Sequence, residues 1–140
     1  MHVSVTRLRL GSWLTLPRFL AASSASARQA KASAGFVSGR TLLDGGLTFW
    51  TLTGWQTEEA MTAFRDSGAH RAVMPRLAQW CVEASVARME APDGALPDWS
   101  EAHRRMIGHG RASRLKRPSA AHARLDFAAP AAGAWRSRPF

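Results

Sequence analysis

The order of strand-like and helix-like stretches predicts an α+β fold: a four-stranded antiparallel sheet with two helices on one face. Three observations carry this. Residues 2–10, 36–43, 47–55 and 82–90 have the alternation or apolar density of strands. Residues 17–34 and 57–80 read as helical, the second segment opened by Thr57 with Glu58 and Glu59 in the turn where the helix dipole favours acids. Between the two middle strands, Asp44-Gly45-Gly46 offers the positive-φ residues that a tight hairpin needs. The sequence of elements is therefore βαββαβ, the ferredoxin-like plan.

In the first strand, Val3, Val5, Arg7 and Arg9 alternate with Ser4, Thr6, Leu8 and Leu10, and the second set is expected to face the core. Gly11-Ser12 breaks the strand, and Pro17 suits a first helical turn. The serine-rich helix that follows needs tertiary packing to hold it and stops at Gly35. In residues 47–55, Phe49, Thr51, Thr53 and Trp55 oppose Thr48, Trp50, Leu52 and Gly54. Aromatic residues on both sides mean that neither face is fully solvated, so helices are expected over one face and a partner subunit over the other. Ser67-Gly68 interrupts the second helical segment, and Pro75 predicts a kink, or a restart with the proline near the first turn.

Residues 1–92 are thus read as one domain. Residues 93–110 form a short helical appendage, begun by Asp98-Trp99-Ser100-Glu101 and anchored by Trp99 and Met106, and residues 111–140 are expected to be a basic disordered tail. Charge follows this division. Residues 1–103 carry ten Lys and Arg against nine acids, whereas residues 104–140 carry nine basic residues and only Asp126. Most of the formal net charge of +9 therefore falls in residues 104–140. The cationic stretch SRLKRPSAAHAR, residues 113–124, lacks interleaved aromatics and any recognisable module, so nucleic acid is not an expected partner.

Arg7 and Arg9 precede an apolar patch and a run of small residues, as in an export signal, but Pro17 and Arg18 break the patch. No run approaches the ~20 apolar residues that span a bilayer, and no membrane partner is expected. A single cysteine, Cys81, excludes an intramolecular disulfide and suits a reducing compartment, so a cytoplasmic protein is expected. Between Trp80 and Val82 it reads as a small buried hydrophobe.

The sequence has no glycine-rich phosphate loop, no CxxC, no HExxH and no GxSxG. His103 and His109 do not share a helix face, and no metal is expected. His70, at the break after Ser67-Gly68-Ala69, titrates near neutrality and suits proton transfer; a histidine there equally serves to cap orphan backbone groups. Phe49, Trp50, Trp55 and Phe64 would wall a pocket for a flat apolar molecule, or act as core and interface anchors. Arg7 and Arg40 are candidate cations at the pocket rim.

The strand end TLTGW, the helix start TEEAMTAF and the RDSGAH break resemble the antibiotic biosynthesis monooxygenase-like domains of the dimeric α/β-barrel superfamily. The resemblance covers residues 1 to about 90. It implies a homodimer of ferredoxin-like units whose sheets form a barrel, with a pocket between sheet and helices in each subunit. Some such proteins oxidise aromatic polyketides with dioxygen and no cofactor, and others degrade haem. The haem-degrading branch has an Asn on its first strand and a Trp and a His on its second helix; Thr6, Phe64 and Met74 stand at those places here. The resemblance therefore implies a cofactor-independent monooxygenase-like protein with no cofactor expected. Its small aromatic or apolar ligand would meet His70 as proton shuttle and Phe49, Trp50, Trp55, Phe64 and Met74 as walls. The alternative is a binding or interaction module of the same fold without enzymatic activity.

Overall fold

The computed structural model describes residues 1–131 and 136–140. Strand β1 (His2–Leu10) leads through a 3-10 turn, capped by the Ser12 hydroxyl, into α1 (Leu16–Ala32), which has Pro17 in its first turn. Strands β2 (Phe36–Asp44) and β3 (Thr48–Trp55) form the expected hairpin, with Gly46 and Leu47 at positive φ. Helix α2 (Glu58–Arg65) is capped by Thr57, whose hydroxyl accepts from the Ala60 amide. Helix α3 (Gly68–Trp80) follows after a break at Ser67, and β4 (Cys81–Glu90) completes the βαββαβ unit. Pro75 lies well inside α3 rather than near its start.

Among the described residues the sheet has six antiparallel strands, not four, in the order β5-β4-β1-β3-β2-β6. Both extra strands, β5 (Arg111–Ala112) and β6 (Ser137–Pro139), come from the segment expected to be a disordered tail. Its composition is that of a mobile chain, but the open edges of β4 and β2 offer unpaired backbone groups that it satisfies. Ser113, Lys116 and Ser119 donate their amides to the carbonyls of Ala84, Ala78 and Val82. Buried His122 locks the same edge: the Ala84 amide donates to its Nδ1 (3.3 Å), and its Nε2 donates to the Ser113 carbonyl (2.7 Å). At the other edge, Phe140 and Gly39 exchange two backbone hydrogen bonds, and the absence of a side chain at Gly39 lets the Phe140 ring lie against β2. Residues 132–135 of the expected tail lie outside the described residues.

Helices α1, α2 and α3 cover one face of the sheet. The other face, for which a partner subunit was expected, is covered by α4 (Trp99–His109) of the same chain. Asp98 caps α4 by accepting from the Glu101 amide, and Trp99, Ala102 and Met106 form the stripe that helical spacing puts on one side. Beneath them lie Val3, Val5, Leu42, Trp50 and Leu52, all at 1% exposure or less. Burying each aliphatic side chain of this kind contributes about 1.5–3 kcal/mol. The core side of β1 therefore includes the Val3, Val5 and Arg7 set, contrary to the expectation that the Ser4 and Thr6 set would face the core. The reason is that α4 supplies an apolar cover that strand alternation alone does not reveal.

Arg7 and Arg40, the expected rim cations, also lie on the α4 side, in register with Trp50 and Leu52 respectively. Arg7 is buried and donates to Glu83 at 2.6 Å, while its guanidinium sits 3.8 Å from the centre of the Phe127 ring. Burial pushes the Glu83 carboxyl up. The hydrogen bonds from Arg7 and Ser119, with the charges of Arg7 and Arg9, overcome that and hold it below its ordinary value of 4.5. The pair's contribution is complete above about pH 4.5 and is lost as pH falls through the lower value of the folded state. In urea unfolding at pH 7, Arg7→Leu is expected to cost about 3 kcal/mol, because it leaves a buried carboxylate with only Ser119 and the more distant Arg9, and Arg7→Leu/Glu83→Leu to cost less than the single change. In Glu83→Gln the fall in stability below pH 4.5 should be shallower than in the native chain. A double variant weaker than Arg7→Leu, or an unchanged acid limb, would contradict this account.

Candidate functional site

A cavity of about 460 Å³ lies between the sheet and the α1 and α3 helices. Its floor comes from alternation in three adjacent strands: Thr6 stands opposite Thr51, Ser4 opposite Thr53, and Thr41 on the far side of Thr51. Among the described residues, the hydroxyls of Ser4, Thr6, Thr51 and Thr53 have no hydrogen-bond partner. On the α1 wall the Ser26 hydroxyl is buried and likewise unpartnered. Phe19, Leu8, Leu77 and Val73 add apolar surface. The arrangement suits a ligand with an apolar body and several oxygen atoms facing the sheet, since a polar group entering this floor regains the hydrogen bonds it loses in water.

His70 lines this cavity, and the break that positions it is held by one side chain of α1. Gln29 donates to the Phe64 carbonyl (3.1 Å) and the Ser67 carbonyl (2.8 Å), and accepts from the His70 amide (2.8 Å). Gly68, at φ +57°, takes the left-handed turn that starts α3 directly against the Gln29 amide. The His70 ring packs on Phe64 with centroids 4.7 Å apart, and its Nδ1 lies 3.1 Å from the Arg65 carbonyl. A carbonyl only accepts, so Nδ1 carries the hydrogen and Nε2 keeps its lone pair. Burial pushes the imidazole below its ordinary value of 6.5, against the opposing pull of that carbonyl, so the ring is neutral at pH 7. One nitrogen therefore caps the end of α2, and the other has no hydrogen-bond partner among the described residues.

Of the other residues singled out in the sequence, Phe64 and Met74 line the cavity, as does Thr6. Trp55 faces the same side but is fully buried behind Phe64, stacking on it at 5.0 Å. Phe49 packs on Phe19 at 4.6 Å in the neighbouring apolar cluster, supporting a wall rather than forming one. Trp50 is on the opposite face, under α4 and near Phe127. It belongs to the core because its register partner Leu42 and its neighbour Leu52 point the same way. Cys81 is buried, and burial pushes its thiol up to about 12, which removes it as a nucleophile. The hydroxyl floor was not singled out, although Ser4, Thr6, Thr51 and Thr53 recur at strand period on one face. No group of three or more His, Cys, Asp or Glu that would hold a metal ion occurs among the described residues. No helix there is long and apolar enough to cross a membrane.

The fold is that of antibiotic biosynthesis monooxygenase-like domains. The match to one solved antibiotic biosynthesis monooxygenase covers 69% of this chain and 100% of that chain, at 11% identity and a TM-score of 0.58. A mutant of SnoaB, a cofactor-independent oxygenase from Streptomyces nogalater, matches over 69% of this chain and 97% of its own, at 14% identity and a TM-score of 0.57. A Nitrosomonas europaea protein of unknown function matches at 17% identity and a TM-score of 0.58, covering 69% of this chain and 94% of that chain. No protein-family profile matches the chain, and no curated protein matches it in sequence. Each of these solved chains is thus nearly spanned by about two thirds of this one, which carries additional structure.

Gln29→Ala removes the bonds that fix the break. At about 1 kcal/mol per net hydrogen bond, it is expected to lower stability by about 1–3 kcal/mol and to shift the NMR signals of the His70 ring, leaving those of Trp50 in place. Unmoved His70 signals would show that the break holds itself.

Proposed function

We propose that this chain is a cofactor-independent monooxygenase-like protein that binds a small aromatic or apolar molecule between its sheet and helices. The observation that carries the reading is the cavity itself: a hydroxyl floor, apolar walls, and a neutral histidine whose tautomer the Arg65 carbonyl selects. The likeness in fold to a cofactor-independent oxygenase supports the class of chemistry.

In this reading the hydroxyls of Ser4, Thr6, Thr51 and Thr53 orient the oxygens of a hydroxyarene, with Phe64 and Met74 against its apolar body. His70 accepts a proton at Nε2 from an activated carbon of the substrate and later returns it. The resulting carbanion is electron-rich enough to reduce dioxygen directly. For a methylene carbon the balance is one dioxygen consumed, one oxygen retained as a carbonyl and the other released as water. The protein supplies orientation, proton transfer and exclusion of bulk water. We extend the proposal to a cytoplasmic homodimer, assembled without the sheet face that α4 occupies; sedimentation velocity of the full chain tests the assembly.

With a hydroxyarene that the native chain oxidises, His70→Ala is expected to reduce oxygen uptake by about 10²–10⁴-fold while the far-UV circular dichroism stays native. The acid limb of the native pH–rate profile should fall below pH 6.5, because the base acts when neutral and burial lowers its value. Undiminished uptake in the folded variant removes His70 from the mechanism. Ligand binding without oxygen uptake across hydroxyarenes would favour a binding module of the same fold.

A further inference from the structure

The cavity rim is strongly one-sided in charge, and the C-terminal segment makes it so. Among the described residues, four arginines line the cavity, Arg65, Arg88, Arg111 and Arg114, and no aspartate or glutamate does. Arg65 is neutralised by Asp66 (2.7 Å) and Arg88 by Glu58 (2.8 Å). Arg111 and Arg114 have no carboxylate and no hydrogen-bond acceptor for their guanidinium groups among the described residues. Both side chains are exposed, and the backbone brings them to the mouth: β5 pairs Arg111 with β4, and Arg114 follows two residues after that strand. Arg111 stands opposite Val86 in register and so shares the cavity face of β4; Arg88 lies two residues along that face, roughly 7 Å away. Ser113, between the two, is fastened to Ala84 directly and through His122.

Two guanidinium groups without a counter-charge leave a net positive charge at the mouth, which solvent and salt screen only in part over such short range. An anion relieves it, and guanidinium matches the geometry of a carboxylate. The polar floor would receive the oxygens of the same ligand. We infer that Arg111 and Arg114 form an anion-binding rim that selects ligands carrying a carboxylate on the apolar body held in the cavity. The inference rests on the cavity being the ligand site, as proposed above. It makes the C-terminal segment a specificity element, in addition to its role as an edge of the sheet.

The probes are 3-hydroxy-2-naphthoate and 2-naphthol, which share a flat hydroxyarene and differ in the carboxylate, titrated by their own fluorescence against the full chain. The native chain is expected to bind the naphthoate at least about tenfold more tightly than 2-naphthol. Arg111→Gln/Arg114→Gln should bring the ratio to near one while leaving 2-naphthol binding unchanged. Arg117→Gln, a cation of the same segment that does not line the cavity, should leave the ratio at its native value. Inorganic phosphate at the same ionic strength should compete weakly against the naphthoate and not against 2-naphthol; phosphate that binds as tightly as the naphthoate overturns the carboxylate assignment. Equal affinities in the native chain, or a ratio unaffected by the double variant, overturn the rim while leaving the cavity reading intact. Failure of both compounds to bind overturns the two together.

Discussion

A sheet with large apolar residues on both faces persists in water only when both faces are covered. Strand β3 sets this constraint, with Trp50 and Leu52 on one side and Phe49 and Trp55 on the other, all but Phe49 buried essentially completely. The βαββαβ unit supplies helices for one side alone. Here the second cover is built in cis: α4 places Trp99, Ala102 and Met106 over Val3, Val5 and Trp50, and the following segment adds Phe127. That segment then reaches β2 and ends as β6, so the chain that covers the face also closes the sheet edges. Roughly a third of the chain lies outside the match to a solved likeness.

The contrast between the two faces explains why this cavity lies on the helix side. On the α4 side the strands present valine, leucine and tryptophan, and an empty space there would cost about 24 cal/mol per Å³. An apolar void of about 460 Å³ would on that scale cost on the order of 10 kcal/mol, comparable to the whole stability of a small domain. On the helix side the strands present Ser4, Thr6, Thr51 and Thr53, whose hydroxyls make hydrogen bonds to whatever fills the space. Water or a ligand can occupy it at little cost. The helices need not close down, and α1 and α3 can stand apart from the strands.

The polar groups that are buried follow the same logic of position. Arg7 and Glu83 face α4, where Arg7 donates to one Glu83 oxygen, Ser119 donates to the other, and Phe127 lies over the guanidinium. Gln29 does comparable work on the helix side, satisfying orphan groups at both ends of the α2–α3 break and so orienting His70. In both places one long polar side chain ties together elements far apart in sequence.

Much of the architecture was legible from residues alone. The alternation of β1 and β3, the Asp44-Gly45-Gly46 turn, the caps Thr57 and Asp98, and the Ser67-Gly68 break are local features, and local physics places them. His70 at a cavity-lining break was legible for the same reason. The face on which Arg7, Arg40 and Trp50 lie was not, because alternation divides residues into two sets without saying what covers each set. The tail was misread because its apolar residues are sparse and show no strand or helix period, whereas it is held by backbone hydrogen bonds to strand edges and by isolated anchors such as Phe127 and Phe140, which composition does not register. The sequence by itself determined the elements of the βαββαβ unit and α4 and their order, since those follow from propensity, capping and period. Only the tertiary structure decided which face became core and which a cavity, and which arginines meet at its mouth, because these depend on contacts between residues dozens of positions apart.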